Sequence, residues 1–469
     1  MAAPPRFWIE TLGCPKNAVD SDKARASLLA DGLEPASDAE SADLVVVNTC
    51  AFVEAARRES VEAILALSDA RQQGAKLVVT GCLAEREGAE LAAAIPEADA
   101  VVGFAGEGNL ASVFVDLPRV RPRGTGGARQ GASARAAGTL RRNERVNDAG
   151  VRDLLELPRA APSAPWAYVK VAEGCDRACT FCAIPSFRGK QRSRTPEALL
   201  AEARSLVEGG VVEIVLVAQD LAWYGRDVGE LGALVPLLRR LDAELSPLGL
   251  RRIRLLYLYP SEVRDPLVST MLEVPTVVPY WDLSLQHADR ALLARMKRWG
   301  SGDTFLSMID GIRTQEPDAT FRSSFIVGFP GETEAEHDSL LGFLAAARLD
   351  WAGFFPFSRE SGTPAATMEG AAPPQLVGEW LRECDEVQTP ITEAARDALV
   401  RACAEVEVLV DGHDEDTGDP IGRTHREAPE IDGVVRLDGA TARPGLIVRA
   451  KVTEALGVDL VAEAIEVVP

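Results

Sequence analysis

The sequence predicts an α/β protein in three parts: an N-terminal Rossmann-like domain with a parallel sheet, a central partial (β/α) barrel, and a small antiparallel β-barrel at the C-terminal end. Short apolar segments alternate with helical ones over residues 6–117 and, in longer units, over 165–398, which is the pattern of parallel sheets. From about residue 401 short apolar segments are separated by turn residues, as in small barrels. We therefore place the domains at 1–118, 161–398 and 399–469, with a linker at 119–160.

The first domain has a βαβαβα order. Its strands are RFWIETLGC, ADLVVVNTC and KLVVTGC, and its helical segments are SDKARASLLADGL, RRESVEAILALSDARQQG and EREGAELAAAI. Cys14, Cys50 and Cys82, the first trio, are the last residues of these segments and each follow directly after the apolar part of the strand. Because parallel strands end at one edge of their sheet, we expect the three thiols to meet there. The alternative is three buried cysteines that act as small apolar side chains.

The segment 119–160 differs in composition from both of its neighbours. Between Arg119 and Arg159 it carries ten arginines and four acidic residues, with scattered Gly and Ser and little apolar periodicity. This composition predicts a flexible basic linker. Contact with RNA is an alternative use of its charge.

The two remaining domains show clear strand segments. In the central domain these are AYVKVAEG, EIVLVAQD, RIRLLYLYP, WDLSLQ, FRSSFIVGFPG and WAGFFPFS, with helical stretches such as TPEALLAEARSLVEGG between them. Six such β/α units predict a full or partial parallel barrel. In the last domain AEVEVLV, DGVVRL, GLIVRAKVTEAL and DLVAEAIEVV predict the antiparallel barrel.

Composition excludes several classes of protein. The net charge of the 469 residues is −21 and the sequence pI is near 4.8, which disfavours general attachment to a polyanion or an anionic membrane. No apolar run approaches the roughly 18 residues of a membrane helix, and the start MAAPPRFWIE lacks the features of a signal peptide. We expect a cytoplasmic protein. Eight cysteines are too few for a disulfide scaffold and suit metal or redox chemistry better.

A second trio, Cys175, Cys179 and Cys182, lies in EGCDRACTFCAIPSFRG. Zinc sites usually show paired C-x2-C knuckles or nearby histidines, and no histidine flanks either trio. A redox role of CTFC would leave Cys175 unexplained. A four-iron cube held by three cysteines has one iron without a protein ligand, and that iron can bind something else.

The C-x3-C-x2-C spacing, with the aromatic Phe181 before the last cysteine, resembles the signature of the radical S-adenosylmethionine enzymes. This resemblance implies that the cofactor amine and carboxylate chelate the open iron. One-electron cleavage of the sulfonium then yields a 5′-deoxyadenosyl radical. A barrel of parallel strands would hold this site at their carboxyl ends.

Four residues are predicted to contact the cofactor. Gly328, in SFIVGFPGET, would let the backbone approach adenine or ribose, Arg322 would pair with the cofactor carboxylate, and Gln286 would bind polar groups. Phe181 completes the set. The alternatives are an ordinary tight turn for the glycine and structural roles for the polar side chains.

Nearly the whole chain resembles the methylthiotransferase family. The resemblance rests on TLGCPKN, VNTCAF, GCLAER, GCDRACTFCAIPSFRGKQRSR, FIVGFPGET and a final barrel similar to the TRAM module. It implies S-adenosyl-L-methionine and two [4Fe-4S] clusters as cofactors, with the second cluster held by Cys14, Cys50 and Cys82. The open iron of that cluster would bind the sulfur or methylsulfide that is transferred.

Two branches of this family differ in substrate. One modifies an adenosine of transfer RNA. The other, the RimO type, adds a methylthio group to the β-carbon of an aspartate in the small-subunit ribosomal protein numbered twelve. The segments CPKN, QDLAWYG, YLYP and APEIDGVV resemble the RimO type. Residues 401–469 carry seven basic and fifteen acidic residues, a charge of −8, which disfavours RNA contact through the last barrel.

The predicted partners are therefore a basic ribosomal protein, a reducing electron donor and a sulfur donor, with no membrane. An acidic segment that contains Asp411, Asp414, Glu415, Asp416 and Asp419 is predicted to dock the protein substrate. A non-catalytic iron-sulfur carrier is the alternative from another class. Cys384 and Cys403 are interpreted as packing residues, and His287, next to Gln286, is the one histidine near a predicted contact.

Overall fold

The computed structural model describes residues 3–113, 153–439 and 441–468. The chain divides into two compact units, Met1–Ala160 and Ala161–Pro469. None of the described helices is long and apolar enough to cross a membrane.

The first unit contains a five-stranded, wholly parallel sheet in the order β2-β1-β3-β4-β5. Its elements are β1 (Arg6–Thr11), α1 (Pro15–Ala30), β2 (Glu34–Pro35), β3 (Leu44–Thr49), α2 (Glu54–Ala70), β4 (Lys76–Gly81), α3 (Cys82–Ala94) and β5 (Ala100–Val101). The central strand β3 reads LVVVNT and is buried at every position, as expected for a strand covered on both faces. The predicted parallel sheet is confirmed.

Most of the predicted linker, residues 119–152, lies outside the described residues. Its last part is not a free segment, because Leu154 and Leu155 are buried. The Lys23 Nζ donates to the Leu155 carbonyl at 2.6 Å, and Arg159 pairs with Asp22. Residues 153–159 are therefore packed onto α1, and the two leucines supply the buried apolar side chains. The arginines around them in the sequence made the whole segment resemble a polar linker.

The second unit contains six parallel strands in two three-stranded sheets, β10-β9-β6 and β11-β12-β13. These six strands are β6 (Trp166–Lys170), β9 (Glu213–Val217), β10 (Arg252–Leu255), β11 (Tyr280–Gln286), β12 (Thr320–Val327) and β13 (Trp351–Pro356). Two further short strands, β7 (Ala172–Glu173) and β8 (Arg192–Ser193), form a separate antiparallel pair. Its helices are α4 (Ile184–Phe187), α5 (Pro196–Glu208), α6 (Leu234–Leu245), α7 (Asp265–Glu273), α8 (Arg290–Arg295), α9 (Gly302–Gln315), α10 (Glu334–Ala347) and α11 (Pro374–Arg401). A bridge between Leu258 and Leu283 joins the two sheets. All six predicted strands are present, and they form a partial barrel.

A closed five-stranded barrel follows, in the order β14-β15-β16-β18-β17. Its strands are β14 (Glu405–His413), β15 (Pro420–Arg423), β16 (Val435–Asp438), β17 (Ile447–Leu456) and β18 (Asp459–Val468). The sequence did not predict β15, whose Pro and Gly resemble a loop. There a Cβ at Gly422 would lie 2.0 Å from the Leu409 carbonyl oxygen. The barrel is antiparallel as predicted, except that β16 and β18 pair in parallel.

This barrel is attached where the strands of the partial barrel begin. The Arg254 Nε donates to Glu213 at 2.7 Å, Arg423 also pairs with Glu213 at 3.0 Å, and Arg254 reaches the His425 carbonyl at 2.7 Å. The Tyr168 hydroxyl donates to the Pro429 carbonyl at 3.0 Å. The contact is buried and contains ion pairs, so the last barrel closes the end of the partial barrel opposite its carboxyl edge.

Candidate functional site

The first trio lies at the carboxyl edge of the first sheet. The strands β1, β3 and β4 are direct neighbours, and each leads into one of the cysteines. The Cys50 side chain packs against the turn before Cys14, because a Cβ at Gly13 would lie only 2.8 Å from the Cys50 Sγ. Gly13 has φ of +93°, so this close approach needs glycine.

Asn17 connects the loops that carry the three cysteines. Its Nδ2 donates to the carbonyl oxygens of Leu12 at 2.8 Å and Thr49 at 3.0 Å. Its Oδ1 accepts from the Cys82 Sγ at 3.6 Å. Asn17 is fully buried and was not predicted as a site residue. Its place one turn after Cys14 was the available signal.

Two cysteines of the first trio stand at helix N-termini. Cys14 is the N-cap of α1, and Cys82 is the first residue of α3. Both helices begin earlier than the sequence predicted, because Pro15 is tolerated at the first helical position and Gly81 takes φ of +90°. The partial positive charge at a helix N-terminus favours thiolates. The edge is thus suited to negatively charged ligands of an iron-sulfur cluster.

The second trio lies in one loop after β6 and β7. The Cys175 amide donates to the Gly189 carbonyl at 3.1 Å, and the Thr180 amide donates to the Met296 carbonyl at 3.1 Å. Gly174 has φ of +79°, and a Cβ there would lie 2.2 Å from the Lys190 oxygen. The loop is therefore held in one conformation at the carboxyl edge of the partial barrel.

Two thiols of the second trio, those of Cys175 and Cys182, are poorly solvated. Burial raises the pKa of Cys175 to about 11 and that of Cys182 to about 12. Thiolates form at such a site when a metal supplies the compensating charge, so that binding releases protons. Among the described residues no three or more His, Cys, Asp or Glu side chains are placed to hold a single metal ion. A [4Fe-4S] cube would take one iron for each of the three cysteines.

Polar groups without partners surround this loop. Both amide atoms of Gln191, the Oε1 of Gln219 and the Oδ1 of Asp220 are buried, and none has a hydrogen-bond partner among the described residues. Buried polar atoms are normally paired. These atoms fit a bound polar cofactor such as S-adenosylmethionine.

Three of the predicted cofactor contacts lie at this same carboxyl edge. Phe181 is half-buried against the barrel core, Gln286 ends β11 with φ of +76°, and Gly328 follows β12 with φ of +80°. The sequence missed Glu332, which accepts from the Gly328 amide at 2.6 Å. Glu332 also lies 3.2 Å from the Nε2 of the buried His287, so both residues shape the turn, and the cofactor contacts themselves stay predictions.

Arg322 does not have the expected surroundings. It is the third residue of β12, near the start of the strand and away from the carboxyl edge. Its Nη1 lies 3.1 Å from Asp282, and its Nε lies 3.4 Å from Asp432 of the last barrel. The guanidinium is thus already paired with two carboxylates, which argues against a contact with the cofactor carboxylate. In the sequence, a charge inside an apolar strand could not reveal these distant partners.

An alternating row of side chains crosses the carboxyl edge, and we call it the arginine-aromatic stack. The guanidinium carbon of Arg177 lies 3.8 Å from the ring centre of Trp223 and 3.7 Å from that of Tyr259. Arg226 covers the other face of Trp223 at 3.8 Å, and Arg298 covers Tyr259 at 3.9 Å. Sequence reasoning missed this group, because its members belong to separate loops.

The two isolated cysteines and the acidic segment of the last barrel differ in how far they match the predictions. Cys384 is fully buried, as expected of a packing residue, whereas Cys403 is exposed and the interpretation of Cys403 as a packing residue was wrong. Asp411 is not a surface contact, because Arg423 binds it through two bonds of 2.6 and 3.0 Å. Asp414 pairs with Arg436. Glu415 and Asp416 of this segment are exposed, and Asp419 is half-buried.

Comparison with known proteins identifies the family to which the chain belongs. Residues 6–103 match Uncharacterized protein family UPF0004, residues 169–344 the Radical SAM superfamily, and residues 404–465 the TRAM domain. The chain is 41% identical to the ribosomal protein uS12 methylthiotransferase RimO of Kineococcus radiotolerans, over 97% of this chain and 96% of that one. It is 42% identical to the protein of the same name from Saccharopolyspora erythraea, over 97% and 94%. The chain belongs to the RimO family.

As a member of this family the chain is a radical S-adenosylmethionine methylthiotransferase that uses this cofactor and [4Fe-4S] clusters, as predicted. Among solved structures, the radical S-adenosylmethionine methyltransferase TsrM from Kitasatospora setae, with cobalamin and a [4Fe-4S] cluster bound, superposes with a TM-score of 0.50. It is 14% identical, and the match covers 77% of each chain. This likeness concerns the fold alone.

Proposed function

We propose that the chain adds a methylthio group to the β-carbon of an aspartate in the ribosomal protein uS12, in the cytoplasm. The observation that carries this proposal is the near full-length identity of 41–42% to proteins that bear this name. The charge of −8 over residues 401–469 supports a basic protein substrate over a nucleic acid. A low-potential electron donor and a sulfur donor complete the proposed partners.

In this proposal the two trios hold separate clusters. Cys175, Cys179 and Cys182 would hold the cluster that binds S-adenosylmethionine, and the first trio would hold the cluster that carries the transferred sulfur. When bound, these groups supply one-electron cleavage of the sulfonium and the sulfur for insertion. The protein contributes deprotonated thiols and, for orientation, the partnerless polar atoms of Gln191 and Gln219.

The prediction that the acidic segment of the last barrel docks the protein substrate needs revision. The last barrel is attached at the end of the partial barrel opposite the second trio, and Asp411 is used inside it. Its exposed acids would therefore attract a basic ribosomal protein at a distance from the target aspartate. They would raise the rate of encounter more than they would steady the reacting loop.

Mass spectrometry of ribosomal proteins from cells that lack the chain tests the proposal. We expect uS12 to lose one methylthio group, the wild-type chain to restore it, and Cys175→Ala to fail to restore it. Cys403→Ala, which removes an exposed thiol outside both trios, is the matched control and should restore it fully. A loss of 2-methylthioadenosine from transfer RNA instead would select the other branch. Purified protein that never forms 5′-deoxyadenosine would select the carrier.

A further inference from the structure

The arginine-aromatic stack reaches two sulfur atoms of the second trio. The Arg177 backbone amide donates to the Cys175 Sγ at 3.4 Å, and the Arg298 Nη1 donates to the Cys179 Sγ at 3.6 Å. Hydrogen bonds to the cysteine sulfurs are one of the ways by which proteins set the potential of iron-sulfur clusters.

Arg177 and Arg298 differ in how their charges are compensated. Arg177 pairs with Asp220 at 2.7 Å and Glu262 at 3.2 Å. In the described part of the chain Arg298 has no carboxylate partner, and its buried Nε donates to nothing. Its other nitrogen donates to the Ser284 carbonyl. The buried Asp220 carboxylate, the partner of Arg177, also interacts electrostatically with Arg298, so the charge that Arg298 directs at Cys179 is compensated only in part.

We propose that Arg298 is a positioning residue that raises the reduction potential of the cluster held by the second trio. Reduction adds one negative charge to the cluster, and a half-buried cation beside its ligand stabilises that added charge. The stack fixes the guanidinium plane, since Tyr259 lies between Arg298 and the ion-paired Arg177. The inference rests on the proposed assignment of Cys179 as a cluster ligand.

The test uses the full chain with Cys14, Cys50 and Cys82 changed to Ala, so that one cluster of about four irons remains. The midpoint potential is then measured by a redox titration followed by electron paramagnetic resonance. Arg298→Gln and Arg298→Met should lower the potential, with an equilibrium for reduction about tenfold less favourable, which is about 59 mV for one electron. Arg298→Lys, which keeps the charge, should recover part of the shift.

Arg290→Gln is the matched control, because Arg290 lines the same cavity of about 320 Å³ beside Arg298 and is exposed. It should leave the potential unchanged. An unchanged potential in both neutral variants at full iron content overturns the inference, as does loss of iron in every Arg298 variant, which would reveal a purely structural role. Loss of the cluster from the background protein itself would instead overturn the assignment of the second trio.

Discussion

Both cysteine trios bring three thiols together at the carboxyl edge of a parallel sheet, but the chain assembles them in different ways. The first trio spans residues 14 to 82 and is assembled by topology, because three neighbouring parallel strands end at one edge. The second trio spans residues 175 to 182 and is assembled by one loop, which is held by Gly174 and by backbone bonds to residues 189 and 296.

Their surroundings also differ in electrostatic character. The first trio is next to the N-termini of α1 and α3, which are fixed dipoles. The second trio is next to the guanidinium of Arg298 and the backbone amide of Arg177. Both the helix dipoles and the guanidinium favour negative charge, and at the same distance a full charge favours an added electron more strongly than the partial charge of a helix N-terminus does. The difference suits a sulfur carrier at the first trio and an electron acceptor at the second.

The largest expected effect separates the two trios by product. Replacement of Cys175, Cys179 and Cys182 by Ala should abolish formation of 5′-deoxyadenosine and leave about four irons per chain. Replacement of the first trio should also leave about four irons, keep 5′-deoxyadenosine measurable and abolish methylthio transfer. Iron analysis and chromatography of reaction products check both. Cofactor cleavage in the first variant would refute the division of roles.

The second expected effect concerns the loop that carries the second trio. Gly174→Ala places a Cβ 2.2 Å from a backbone oxygen at φ of +79°, so the loop must move. We expect at least a roughly tenfold loss of 5′-deoxyadenosine formation, since 1 Å displacements are costly at reacting centres. Gly189→Ala is the control: it has φ of +77° with open space around it. It should cost only about 1 to 2 kcal/mol of folding stability, and equal losses in both variants would contradict this explanation.

The third effect tests how the loops at neighbouring strand ends assemble the first trio. Asn17→Ala removes buried hydrogen bonds to the loops of the first trio. We expect a loss of roughly 2 to 4 kcal/mol in the free energy of unfolding and weaker methylthio transfer, with 5′-deoxyadenosine formation retained. Asn109→Ala, at an exposed position, should change neither. Denaturant titration and product assays distinguish these outcomes, and a normal first cluster in Asn17→Ala would remove Asn17 from the site.

The smallest effect lies far from both trios, at the attachment of the last barrel. Burial alone would raise the pKa of Glu213, but Arg423, Arg254 and Arg252 outweigh it and lower the pKa to about 2. Since this pKa is depressed, the stabilisation is present above the ordinary pKa of about 4.3 and is lost as pH falls toward 2, a change of about 3 kcal/mol. Acid denaturation of Glu213→Gln should therefore be less steep, with iron content at neutral pH unchanged. An acid transition as steep as that of the wild type would contradict this role.

The sequence predicted the parts of the molecule that depend on local pattern. Apolar segments identified the six strands of the partial barrel, cysteines directly after strands identified the first trio, and the C-x3-C-x2-C spacing identified the second. Contacts between distant segments could not be predicted. Arg322 was assigned to the cofactor carboxylate because the sequence does not show that Asp432, in another domain, lies beside it. The stack joins loops that follow different strands, and the helix starts at Pro15 and Cys82 depend on glycine turns whose backbone angles the sequence does not display.

The central claim is that each trio leaves one iron open to a different ligand. The most direct test adds S-adenosylmethionine or methanethiolate to the two reduced triple-alanine variants and records electron paramagnetic resonance spectra. We predict that S-adenosylmethionine changes the spectrum only when Cys175, Cys179 and Cys182 are present, and that methanethiolate changes it only when Cys14, Cys50 and Cys82 are present. A response to S-adenosylmethionine from the first trio, or a second trio that does not respond to it, would contradict the account.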